Sequence, residues 1–440
     1  MRYYLLALGG FSFLANAQDT VRIRLKEAIE TGIRRSVDAD IARNEYISAY
    51  WEYKTYRTEW LPEATLEGEG SLYGQTKATL SIRQQIPLTG ATVTLESGLN
   101  TLPARLSLEQ PLFGFNRIRW LQRIEPVRYL EAQRKLVGDQ EAIALTAIEH
   151  YFNLLLGRIL LDMAEQNRSN AARLYLISEA RQRKGQLSTV DLLQMQASLL
   201  RAEASLTDAR ASFEDRMFRL RSFLGMDQDV ALEPVEPEFI TEDIPRLSYP
   251  AVLALALERN VFTQNIRKRI LEASRDVSQA RADRWNLQLF ASLGPSPTDN
   301  RLLTVGVRLP VLDWGKGKGK VKVAESNRRI VQSKIEKEQM DFKQDIFLRV
   351  QYFNNQPEQL RLARLTDEIA QQRYKASVEA FILGKIDILN LNDAQTAKDA
   401  ARRDYINQMF LLWSYYYQIR SLTLYDFLQN KEISVDYDES

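Results

Sequence analysis

Apolar residues recur at helical spacing through two long stretches, about Phe115 to Lys184 and Lys316 to Leu383. At 1.5 Å per residue a continuous helix of that length runs to roughly 100 Å, several times an ordinary globular helix. Such a helix has to lie along partners of similar length, in a coiled coil or a tube of helices. A further helix is predicted over 189–224, where Leu192, Leu199, Leu206, Phe213 and Leu220 recur every seven residues. Met195, Ala202, Ala209 and Phe223 follow three positions later, so this segment reads as coiled-coil packing with small residues letting backbones approach. Helical spacing also covers 21–60 (Leu25, Ala28, Ile29, Ile33, Tyr46, Tyr50), 251–284 and 387–424.

At Leu61-Pro62 the period changes from 3.6 to 2. Leu66, Leu80, Ile82, Val93, Leu95, Leu106 and Leu108 alternate with polar neighbours across 63–110. Leu287, Leu289, Ala291 and Leu293, then Leu303, Val305, Val307 and Leu309, alternate in the same way across 287–309. These are strands with one apolar and one polar face. The alternation fits half of a soluble sandwich, or a membrane barrel with its apolar face to lipid. Residues 63–110 divide into two long strands or four short ones; two strands per half is the expectation carried forward.

The order of elements occurs twice. Pro111 and Pro310, like Gly185 and Gly384, are 199 positions apart (310 − 111 = 384 − 185 = 199). A first repeat over 18–224 and a second over 251–428 are therefore expected, with long helices at 115–184 and 316–383. Between them 225–250 reads as a linker, carrying Pro234, Pro237, Pro245 and Pro250, and 429–440 as a tail. Residues 1–17 combine a basic start, an apolar run and Ala15-Asn16-Ala17, the pattern of a cleaved secretory signal peptide. Beyond them no run approaches the roughly 18 to 20 uncharged apolar residues of a spanning helix.

Composition removes most chemistry. With 59 Lys and Arg against 57 Asp and Glu, interleaved along the helices, no basic face for nucleic acid is offered. There is no cysteine, and the single histidine, His150, sits mid-helix without a second ligand, so no catalytic or cofactor residue and no metal site is assigned. Gly315-Lys-Gly-Lys-Gly-Lys320 lacks the spacing of a phosphate loop and reads as a basic turn at a membrane surface.

Gln110-Pro-Leu-Phe-Gly114 and Leu309-Pro-Val-Leu-Asp-Trp-Gly315 at the strand-to-helix joints are one pair of motifs. Gly185 to Gln194 and Gly384 to Ala394 at the helical hairpins are the other. With the repeated order of elements, the chain resembles the TolC-type outer-membrane efflux protein family over essentially its whole mature length. The resemblance implies a mixed α and β fold. A long coiled-coil α-helical barrel, the periplasmic tunnel, joins a transmembrane β-barrel shared between protomers, each built from two tandem repeats. It implies a homotrimer in outer-membrane lipid, a passive exit duct rather than an enzyme, working with a periplasmic adaptor and an inner-membrane pump. Strand physics requires oligomerisation separately, because open edges are not tolerated in lipid. Carried onto this sequence, the tunnel-mouth gate falls on Asp393, Asn390 and Asp191, the joints on Pro111 and Pro310, and the hairpin turns on Gly185 and Gly384. The family's closed-state lock uses a tyrosine and an arginine where this chain has Phe381 and Ile386. Against this stands a periplasmic adaptor or coiled-coil scaffold, which would normally show one hairpin rather than two at a fixed offset. The exported cargo and the pump are not legible.

Overall fold

The computed structural model describes residues 20–69, 77–98, 104–112, 115–237, 244–285, 287–294, 303–309 and 313–434. The expected signal segment 1–17, Pro310 and the last residues of the tail lie outside them. The chain begins β1 (Thr20–Ile23), α1 (Leu25–Arg35), α2 (Val37–Thr58), β2 (Glu63–Glu69), β3 (Lys77–Gln85), β4 (Thr92–Gly98), β5 (Arg105–Pro111). It continues α3 (Arg117–Arg183), α4 (Thr189–Leu224), β6 (Ala231–Pro234), α5 (Tyr249–Arg259), α6 (Val261–Arg284). It ends β7 (Gln288–Leu293), β8 (Leu303–Arg308), α7 (Lys316–Ile382), α8 (Ile388–Thr423), β9 (Tyr425–Asp426), β10 (Lys431–Glu432).

The helix expected over 21–60 is split. Ser36 is extended (φ −67°, ψ 150°) and its Oγ accepts the Ala39 amide at 3.1 Å, so one residue ends α1 and caps α2. Asn260 divides the helix expected over 251–284 in the same manner, extended at φ −65°, ψ 147° and accepting the Phe262 amide at 2.9 Å. Apolar spacing runs on through both breaks, which is why periodicity does not register them. The start of that first helix and the middle of the expected linker are instead β1 and β6, paired in parallel from Thr20 with Ala231 to Ile23 with Pro234.

Residues 63–110 supply four strands rather than two. Within the would-be long strand the chain reverses at Pro87–Gly90, where the Gly90 amide donates to the Ile86 oxygen at 2.8 Å and glycine takes φ 74°. One antiparallel six-stranded sheet results, in the order β2-β3-β4-β5-β7-β8. Its register sets Leu66 opposite Leu80, Ile82 opposite Leu95, Leu95 opposite Leu106, Leu106 opposite Leu293 and Leu293 opposite Leu303. The other face aligns Thr94, Ser107, Ser292 and Thr304. Leu66, Leu106, Val305 and Val307 are exposed, so the apolar face is not spent on a core.

The described residues fall into two compact units, those within 1–40, 142–244 and 353–417, and those within 41–141, 245–352 and 418–440. In the first, the fully buried Tyr151 donates its hydroxyl to the Ile23 oxygen at 3.2 Å and to the Val235 oxygen, fixing the β1–β6 pair. Gly32 lets α1 lie close, since a β-carbon there would stand 3.0 Å from the Phe223 ring. In the second, α2 packs on α3 through tyrosines, Tyr53 stacking on Tyr129 at 4.8 Å, and Phe262 stacks on Phe342 at 4.4 Å. Contrary to the sequence expectation, one helix among those described, α3, is long and apolar enough to cross a membrane; half of that window is buried inside the protein, as in a core helix.

His150 packs beside Phe223, ring centroids 5.2 Å apart. Burial holds its imidazole below the ordinary 6.5, Arg219 pushing the same way and Glu149 opposing. The unfolded chain therefore binds this proton more readily, so the stability from neutral His150 is present above pH 6.5 and lost as pH falls through the folded value. Thermal melting at pH 7 and pH 5 should find His150→Phe losing less stability on acidification than the wild type. Identical losses would remove His150 as a contributor.

Candidate functional site

The first unit contains both helical hairpins. α3 passes into α4, and α7 into α8, through the same turn, with Gly185 at φ 70° and Gly384 at φ 73°, where a side chain is strained. Each glycine amide donates three residues back at 2.9 Å, to the oxygen of Gln182 or Phe381. The next amide, of Gln186 or Lys385, donates five back to Arg181 or Ala380 at 2.9 and 2.8 Å. This is the Schellman closure of a helix end.

The gate candidates each engage a different partner. Asp191 joins a capping pair: Ser188 Oγ accepts the Asp191 amide at 3.1 Å and donates to its Oδ2 at 2.6 Å. Asn390 sits at the matching place in the second turn, its backbone and side-chain amides donating to Asp387 Oδ1 at 2.9 and 2.8 Å. Both thereby stabilise helix starts. Asp393 is salt-bridged to Arg373 at 2.5 Å, with the two side chains 67% and 55% exposed, a pair worth little in stability at such exposure.

Phe381 and Ile386 serve an apolar cluster. Phe381 is buried with Leu174, Met195, Tyr374, Ile388 and Leu391, and Ile386 packs against them. The tip of this chain is thus held by packing where the resemblance expects a polar lock. Arg181 adds a link that sequence reasoning missed: its guanidinium donates to the Phe381 oxygen at 3.3 Å, a cation from the first hairpin at the C-terminal carbonyls of α7. A β-carbon at Gly384 would come 2.9 Å from that guanidinium. The only sequence signal was a basic residue in the last turn of a helix, which is common.

Next to the cluster lies a cavity of about 530 Å³ lined by Asp162, Asn170, Tyr374, Lys398 and Arg402 among others. Tyr374 accepts from Asn170 Nδ2 at 3.2 Å, Lys398 Nζ stands 4.6 Å over its ring, and burial raises its phenol above the ordinary 10.0. Among the described residues no three His, Asp or Glu are grouped to hold a metal ion. In the second unit Pro111 ends β5 opposite Gln288, and the following Leu112 amide donates to the Leu287 oxygen at 2.9 Å. Its counterpart Pro310 lies outside the described residues.

Residues 42–226 match the family model described as outer membrane efflux protein. The chain is similar in structure to the outer-membrane channel OprN at 18% identity and TM-score 0.68, over 92% of this chain and 90% of that one. It is also similar to the CmeC outer membrane channel of Campylobacter jejuni at 14% identity and TM-score 0.68, over 94% and 87%. A third likeness is to the outer membrane protein VceC of Vibrio cholerae, at 12% identity and TM-score 0.64 over 93% and 97%. At these identities the likenesses show the fold. No curated protein matches the sequence.

Proposed function

Because residues 42–226 match the outer membrane efflux protein model, we propose that this chain belongs to that family and that three copies assemble into one passive exit duct. On this reading the protein is an outer-membrane channel of an efflux system, as the partial family match and the shared fold support. The finer reading is that the three sheets close a single barrel of eighteen strands, three chains at six strands each, around a water-filled lumen. The observation that carries it is the sheet itself. Its apolar face is exposed in the single chain, and among the described residues the outermost strands β2 and β8 each pair on one side only. Unpaired edges are excluded from lipid, so the sheet has to be closed by copies of itself.

Two tandem repeats are supported by the equal lengths of α3 and α7, 67 residues each, and of α4 and α8, 36 residues each. On this reading the hairpin ends face the periplasm, where a periplasmic adaptor and an inner-membrane pump engage the duct. Asp393 lines the mouth, its charge balanced by Arg373. Asp191 and Asn390 act by holding the turns in shape.

Single-channel recording in planar bilayers tests this. The wild type should conduct and be blocked by multivalent cations. Asp393→Asn leaves Arg373 uncompensated and should weaken block about three- to tenfold, while Arg373→Ala bares Asp393 and should strengthen it by a similar factor. A protein that forms no channels contradicts the duct, and unchanged block in both variants takes Asp393 out of the mouth.

A further inference from the structure

We infer that the joint between β8 and α7, with the end of α6 beside it, is a docking surface for headgroups of anionic glycerophospholipids in the leaflet at the helical end of the sheet. The inference rests on the barrel reading above. Lys316, Lys318, Lys320 and Lys322 occupy the first two turns of α7, all exposed. Among the described residues none of the four has an ion-pair or hydrogen-bonding side-chain partner. Two cations elsewhere on these helices are matched, Arg281 with Glu325 at 2.7 Å and Arg269 with Glu338 at 2.5 Å.

The lysines sit at the end of the helix where its dipole opposes positive charge, and the first turn carries no acidic residue. Nothing among the described residues rewards them there; an external anion would. Asp313, just before, does not supply it. Both its carboxylate oxygens accept backbone amides, Gly315 and Gly317, at 2.9 Å each. That also closes the helix end itself to an anion, leaving the lysine side chains as the recognising groups.

The order of residue types along this joint follows depth in a bilayer. Val305, Val307 and Leu309 on and just past β8 are exposed, and Trp314 follows, 90% exposed and held at φ 53°, before the lysines begin. Trp285 at the end of α6 is 64% exposed, with the Arg284 guanidinium 5.3 Å over its ring. A β-carbon on Gly317 would lie 3.0 Å from Arg284 Cγ, so the end of α6 and the start of α7 form one surface. Apolar strand, exposed tryptophan, then cations is the profile of an interfacial anchor above anionic headgroups. Across residues 281–285 and 313–322 six cations meet two carboxylates, Asp283 and Asp313.

The joint between β5 and α3 lacks this character. Trp120 stands under Arg123 at 5.4 Å, but Arg117 pairs with Glu59 at 3.0 Å and Arg119 donates to the Leu88 oxygen at 2.8 Å. The proposed lipid surface therefore belongs to the second half of the chain, and recurs once per protomer.

The full-length protein and the variant Lys316→Gln/Lys318→Gln/Lys320→Gln/Lys322→Gln are reconstituted in nanodiscs of phosphatidylcholine alone or mixed equally with phosphatidylglycerol. Lipid retained on transfer to detergent is then counted by native mass spectrometry. The wild type should retain phosphatidylglycerol over phosphatidylcholine by about tenfold, and the variant should lose that preference. Replacing the four lysines with arginine should keep it. Equal preference in wild type and glutamine variant, or no preference in the wild type, overturns the inference. Failure to enter phosphatidylcholine nanodiscs at all would instead count against the barrel reading, so the two failures are read apart.

Discussion

Arg420→Ala should destabilise the sheet-bearing unit by about 3–5 kcal/mol, the typical result of removing one partner from a buried ion pair. Arg420 Nη2 meets Glu141 at 2.8 Å and Nη1 meets Asp426 at 3.2 Å, with side-chain exposures of 16%, 4% and 9% for Arg420, Glu141 and Asp426. Burial raises the Glu141 carboxyl above its ordinary 4.5 and Asp426 adds to that, while Arg420 holds it down. Without the guanidinium two carboxylates face each other in a desolvated site. A group whose folded value is raised contributes stability below its unfolded value and loses it as pH rises through the folded one. The deficit of the variant should therefore shrink as pH falls toward 4.5. Thermal melting of the detergent-purified protein across pH checks both statements. A loss below about 1 kcal/mol would place the trio in the class of weak surface pairs.

Phe381→Ala should cost about 3–5 kcal/mol, the usual range for emptying an aromatic position in a core. Phe381 is 5% exposed and joins Leu174 and Met195 of the first hairpin to Tyr374, Ile388 and Leu391 of the second. The loss should be local, because the hairpin tips are ends of helices and open separately from the rest. Hydrogen exchange of amides in residues 374–394 should accelerate by about a hundred- to a few-thousandfold, while exchange around Tyr151 stays as in the wild type. On the duct reading conductance should also rise, since packing replaces the polar lock at this tip. Unchanged exchange at 374–394 would mean that the cluster does not hold the tip.

Element type is legible wherever it depends on spacing along one segment. The heptads beginning at Leu192 and the alternation through Leu106 and Leu108 report a helix face and a sheet face directly, because those faces must meet different surroundings. Single residues that interrupt a pattern without disturbing it are not legible: Ser36 and Asn260 each stop and restart a helix while the apolar spacing continues. Pairing between distant segments is equally silent, as with Arg22 and Glu233 meeting at 3.2 Å across β1 and β6, 211 positions apart. The extra pair of strands was signalled by Pro87 to Gly90, but a turn of that kind is also found at strand ends.

For the site, sequence and resemblance named the turns and the charged positions. What they did not supply is partner choice. Asp191 and Asn390 are occupied by Ser188 and Asp387 because each stands three residues into a helix start, where capping geometry captures short polar side chains. Asp393, one turn further on, is free of that competition and reaches Arg373 on the facing helix. Phe381 and Ile386 were marked only as departures; their apolar character made them core residues once the two hairpins met.

The most direct test of a barrel closed between protomers is the native mass of the protein extracted in mild detergent from outer-membrane fractions. A mass of three chains in that fraction is the predicted result. A soluble monomer in the periplasmic fraction would contradict it, and would leave the exposed apolar face of the six-stranded sheet without the lipid that accounts for it.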